Sequence, residues 1–123
     1  MNKELQEIVL DGVKYIKKGS TQEEAEKFNG LNYVIIRGSD SGVFAGYLKK
    51  EEGRRIELLK STRLWYWDGA ATLHELALSG TKLPQHCKFT VEVQEIIILD
   101  VIEIIHCTEN ARKSIYEVTK WTA

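Results

Sequence analysis

The chain has 123 residues, 43% of them hydrophobic and 28% charged, with 17 Lys plus Arg against 18 Asp plus Glu for a formal net charge of −1. That supplies one core and no second ordinary domain, and the balanced charge disfavours a protein that coats nucleic acid or an anionic membrane through a cationic excess. No apolar run approaches the ~20 residues that cross a bilayer, the N-terminal residues show no signal-peptide core, and the two cysteines, Cys87 and Cys107, suit a reducing compartment, so a cytoplasmic location is expected.

Near the start, Asp11-Gly12 separates Ile8-Val9-Leu10 from Val13-Lys14-Tyr15-Ile16, a strong short-range hairpin signal. A helix competes, since Leu5, Val9, Val13 and Ile16 also recur at helical spacing. The hairpin is favoured because Gly12 costs a helix interior ~1 kcal/mol. Ser20-Thr21-Gln22-Glu23-Glu24 reads as a capping box, predicting a short helix that stops at Asn29-Gly30. Residues 1–30 are therefore expected to form a hairpin-and-helix extension, and 31–123 a single α+β domain.

In that domain, runs 33–37, 43–49 and 55–60 are rich in strand formers, and the turns between them are rich in Gly, Ser and Asp. Thr72-x-x-Glu75 predicts a second helix ending at Gly80, with Leu73, Leu76 and Ala77 as its apolar stripe. The alternation over 88–93 and the aliphatic runs 96–99 and 101–105 predict two more strands. Thr108 suits the N-cap of a last helix over roughly 109–118, with Ala111, Ile115 and Val118 inward. The expected fold is α+β: a small bent antiparallel sheet of five or more strands with two or three short helices.

The chemistry concentrates in Arg63-Leu64-Trp65-Tyr66-Trp67-Asp68-Gly69-Ala70. Indoles and phenols offer flat faces for stacking on a base, and guanidinium groups grip phosphates bidentately. Residues 31–68 carry seven positive against five negative side chains and include Arg37, Arg54, Arg55 and Arg63. The candidate binding set is Trp65, Tyr66 and Trp67 for stacking and Arg37, Arg55 and Arg63 for phosphate, with Asp68 at its end. The charge of Asp68 repels an anion, and its residue type also suits accepting N–H bonds ahead of the helix. A second reading of the block stands beside the first: alternation puts Trp65 and Trp67 on one face and Leu64 and Tyr66 on the other, so one pair can be core and the other a subunit contact.

Other motifs carry less. Gly38-Ser39-Asp40-Ser41-Gly42 has the small residues of a phosphate loop but lacks the Lys-Ser/Thr and the following helix, and reads as a hairpin turn. His86-Cys87 and His106-Cys107 are adjacent pairs without zinc spacing, so no metal is expected. Glu103, flanked by Ile102 and Ile104, is expected to be partly buried beside an arginine. No nucleophile, metal set or acid–base pair stands out, so neither catalysis nor a cofactor is expected.

From Tyr33 to Trp121 the chain resembles a family of short uncharacterised proteins of phages and bacteria, classed as a domain of unknown function. Ser41-Gly42-Val43-Phe44-Ala45-Gly46, the Trp-Tyr-Trp block through Ala71, Leu73, Glu75-Leu76-Ala77, Gly80-Thr81-Lys82, Cys87-Lys88-Phe89, Ile102 to Ile105, and Thr108 through Ser114-Ile115 to Trp121 carry the likeness. The resemblance implies a small, often phage-encoded protein acting in the cytoplasm of the bacterial host. It is similar in size and character to inhibitors that sequester the nucleotide signals of bacterial immunity. The function expected is therefore a non-enzymatic, homo-oligomeric binding protein for an ADP-ribose-type or cyclic-dinucleotide ligand. The alternatives are a structural or interaction protein and a single-stranded nucleic-acid binder.

Overall fold

The computed structural model describes residues 8–10, 12–14 and 23–123. Strands β1 (Ile8–Leu10) and β2 (Gly12–Lys14) pair antiparallel, with Val9 opposite Val13, so the hairpin forms in preference to a helix. Ser20, Thr21 and Gln22 of the first capping box lie outside the described residues. The helix expected to follow is absent from residues 23–30, which are extended and bridged. Glu24 forms a bridge with Thr108, Ala25 N–H donates to the Cys107 carbonyl (3.3 Å), and Glu109 N–H donates to the Glu23 carbonyl (2.9 Å). Asn29 and Gly30 have φ of 51° and 79°. That is the left-handed pair of a tight hairpin turn, and Phe28 and Leu31 exchange hydrogen bonds across it. Tertiary pairing that buries Ala25 (7% exposed) thus overrides a local helix preference.

Six antiparallel strands make the sheet: β3 (Tyr33–Gly38), β4 (Val43–Glu52), β5 (Arg55–Tyr66), β6 (Lys88–Phe89), β7 (Val93–Ile98) and β8 (Val101–His106). The order is β6-β5-β4-β3-β8, with β7 alongside the first half of β5. Residues 88–105 hold three strands, one more than the sequence predicts. Between β6 and β7, Thr90 bonds the Arg63 backbone through both its own N–H (3.0 Å) and its hydroxyl, which accepts from Arg63 N–H (2.9 Å). That local exchange interrupts the ladder.

The connectivity requires a strong bend. Ile98 pairs with Ile56, which lies opposite Glu51, whereas Val101 pairs with Gly38, next to the start of β4 at Val43. From Val43 to Glu51 a flat strand spans roughly 26 Å, but Leu99 and Asp100 reach only about 11 Å. The long β4–β5 hairpin therefore curls back, and Val101 N–H donates to the carbonyl of Arg54 at its tip (3.0 Å). The curl is placed by register slips in β4 between Ala45 and Tyr47 and between Leu48 and Lys50, as bulges increase local twist. Gly46 lies within the first: a Cβ there would stand 3.0 Å from the Leu59 carbonyl and 3.2 Å from Ser61 Cα.

The curled sheet has a core on each face. The concave side holds Val34, Ile36, Phe44, Ile56, Leu58, Ile98 and Val101. The other face packs Tyr33, Ile35, Tyr47, Leu64 and Phe89 against α1 (Leu73–Ser79) and α2 (Glu109–Glu117). Both helices start as the sequence predicts. Thr72 Oγ1 accepts from Glu75 N–H (3.1 Å) and Thr108 Oγ1 from Ala111 N–H (3.1 Å). Leu73, Leu76 and Ala77 are buried under α1, and Ala111, Ile115 and Val118 under α2 and its C-cap. The molecule is a small α+β domain dominated by sheet, and no helix among the described residues is long and apolar enough to cross a membrane.

Candidate functional site

Arg63 lies in the second half of β5, opposite Phe44 on β4. Its guanidinium sits 4.6 Å from the Phe44 ring centroid, and Nη1 donates to the Ser41 carbonyl (2.9 Å). Among the described residues no carboxylate lies within ion-pairing distance of it, so most of its five N–H donors remain available. Ser41 is itself held by a third element. Asp100, between β7 and β8, accepts from the Ser41 hydroxyl (2.6 Å), Asp40 N–H (2.6 Å), Ser41 N–H (2.9 Å) and the Ser39 hydroxyl (3.3 Å). These bonds, the Ser41 hydroxyl foremost, hold the Asp100 carboxyl far below the usual carboxylate range. The 38–42 turn thus does cradle an anion, and the anion is a side chain of the same molecule. Gly38 permits this, because a Cβ there would collide with Ser41 Oγ and stand 2.8 Å from Asp100 Oδ1.

Between this turn and the end of β5 lies a cleft of about 290 Å³. Its walls are Arg63, Trp65 and Trp67 on one side and Asp40 to Val43 on the other, with Leu64 behind. Trp65 is 61% exposed, while Trp67 is half-buried against the helical-face core. The two indoles line one cleft, although Trp67 lies past the end of β5 and packs on the same core as Leu64, not on the opposite face that alternation gives it. Trp65 stacks on Trp121 of the C-terminal tail (centroids 6.2 Å apart, planes at 25°), and the Trp121 backbone N–H donates to the Phe89 carbonyl (2.8 Å). An aromatic-walled, partly apolar cleft with one guanidinium is suited chemically to a flat ring bearing a negative charge.

The other predicted residues are placed differently. Tyr66 is 51% exposed, does not line the cleft, and faces Lys88 across the β5–β6 pair. The pairing slips between Leu64 and Tyr66, so Tyr66 does not follow Leu64 into the core as alternation predicts. Asp68 turns the chain after β5. It accepts from Gly69 N–H (2.9 Å), and its other oxygen lies 3.2 Å from His86 Nδ1. The His86 contact, then the Gly69 N–H, lowers its carboxyl below the ordinary value. Arg37 meets Glu103 (3.1 Å). Arg55, at the hairpin tip, meets Glu57 (2.6 Å) and Glu52 (3.7 Å). Neither arginine lines the cleft. Of the seven candidates, the structure brings together Arg63, Trp65 and Trp67.

Sequence reasoning missed the facing wall, Asp40 to Val43, and the Trp121 support. The Ser41-Gly42 pair, with Gly42 at φ 112°, is the one local hint at the wall. Both thiols are buried and unbridged, and burial pushes Cys107 up to about 12. Among the described residues no three His, Cys, Asp or Glu side chains gather as a metal set.

Comparison with curated proteins and with solved structures gives no match. The family described as a domain of unknown function, DUF6948, matches residues 31–115, a stretch that contains Arg63, Trp65, Trp67 and the facing turn, and the chain belongs to that family.

Proposed function

We propose that this protein binds and sequesters a nucleotide-derived ligand in the Arg63–Trp65–Trp67 cleft, without converting it. One observation carries the reading: a guanidinium with no carboxylate partner among the described residues lines an open cleft together with two indoles. A base inserts against Trp65 or Trp67, and the phosphate takes the free donors of Arg63. The size of the cleft suits a mononucleotide-sized group. For a phage-type protein of this family the ligand class would be a nucleotide messenger of bacterial immunity.

Titration of the tryptophan fluorescence with AMP, ADP-ribose and a cyclic dinucleotide tests this. Saturable quenching by at least one of them is expected, with Arg63→Ala weakening it at least tenfold and the ligand recovered chemically intact. Absence of any response at high micromolar concentration would contradict the proposal.

A second reading rests on a different observation. Trp65, Tyr66 and Trp121 (47% exposed) are all exposed, and Trp65 and Trp121 stack on one another, the composition of a subunit contact. Under that reading Tyr66→Ala halves the mass in solution while nucleotides leave the fluorescence unchanged.

A further inference from the structure

Arg63 lines three depressions, two of which share the Asp40–Ser41 turn with it. Beyond it from the indoles lies a second hollow of about 340 Å³, which shares Asp40, Ser41 and Arg63 with the first and is otherwise lined by Phe44, Ile96 to Leu99 and Asp100. Its apolar wall is unusually bare for a short strand and its turn: Leu99 is 71% exposed. The two lobes therefore differ in surface, one indole and one aliphatic, and meet at a single cation. No second cation serves that junction among the residues that line it. Arg37 and Arg55 are engaged by Glu103 and by Glu57 with Glu52. Arg54 donates to the Val101 carbonyl.

Charge counting limits what can sit across such a junction. One guanidinium neutralises one unit of negative charge, and Asp40 lines both lobes as a carboxylate that repels more. The Asp40 and Ser41 N–H groups, which would otherwise help an oligophosphate, are already spent on Asp100. A flat apolar-faced group fits each lobe, since every base has a face that stacks on indole or covers an aliphatic wall.

We infer that the site is two-lobed and takes a dinucleotide joined by a single phosphodiester, one base against Trp65 or Trp67, the phosphate on Arg63, and the second base over the exposed Leu99. The inference rests on the cleft being a nucleotide site.

Calorimetry on the full chain with the linear dinucleotide ApA, with AMP and with ATP decides it. ApA is expected to bind at least tenfold tighter than AMP, the gain that one further base contact supplies, and ATP no tighter than AMP. Leu99→Ser, at an exposed position that leaves the fold intact, is expected to bring the ApA-to-AMP affinity ratio close to one. A ratio near one in the wild type, or a wild-type ratio that survives Leu99→Ser, overturns the two-lobed site while leaving the cleft reading in place. Failure of all three nucleotides to bind overturns both.

Discussion

Asp100 shows how far a single residue decides what the rest of the site can do. Its carboxylate occupies the ring of donors offered by Ser39, Asp40 and Ser41, so the turn is locked in the shape that faces Trp65 and Trp67, and its N–H groups no longer recruit a ligand anion. Arg63 is left as the cation of the cleft, oriented by Phe44 beneath it and the Ser41 carbonyl beside it. The lock is pH-dependent. Because folding lowers the Asp100 carboxyl below its unfolded value of ~3.9, the stabilisation is complete above that value and is lost as pH falls through the folded-state value. Asp100→Asn is accordingly expected to lower Tm at pH 7, and the gap between variant and wild type to narrow as pH drops below about 4, in parallel thermal melts. A gap that stays constant down to pH 2 would show that the charge of Asp100 is not what holds the turn.

At the scale of elements, the β4–β5 hairpin is the part that makes the molecule. Its curl closes the concave core and carries the Arg54 tip to Val101, and its second half presents Arg63 and Trp65. At Gly46 the β4 backbone passes close to that of β5, at Leu59 and Ser61. Gly46→Val is expected to cost about 2 kcal/mol through forced backbone movement, read as a lower denaturation midpoint in urea, while Gly53→Ala, where a Cβ meets nothing and only the φ of 59° opposes it, costs about 1 kcal/mol. Much of this level was legible in the sequence. Hydroxyl caps at Thr72 and Thr108 and the apolar stripe of each helix carry local signals, and both helices begin where those signals put them. The misread elements are those where distant partners decide. Residues 23–25, at the end of the capping pattern read over 20–24, pair with 107–109, and Thr90 breaks a smoothly alternating run because the Arg63 backbone accepts and donates to it. The bend itself is recorded only in register slips, which no residue pattern announces.

Across the whole molecule, the cleft is assembled from three places in the chain: the 40–43 turn, the end of β5, and the tail around Trp121 that braces Trp65. The aromatic block was visible as a surplus of indoles, but which of its members share a cleft did not follow from alternation, because the pairing slips between Leu64 and Tyr66 and the strand ends before Trp67. Which arginine serves them did not follow either, because Arg37, Arg55 and Arg63 look alike in sequence and differ only in whether a carboxylate from another strand reaches them. The three tryptophans also supply the most direct measurement. Each gives one indole N–H signal in a two-dimensional ¹⁵N–¹H spectrum, assignable by single Trp→Phe variants, and the spectrum can be followed during titration with AMP. Saturable shifts of the Trp65 and Trp67 indole signals, lost in Arg63→Ala, are expected. Unmoved Trp65 and Trp67 signals at millimolar AMP, or shifts that persist without Arg63, would contradict the proposed binding.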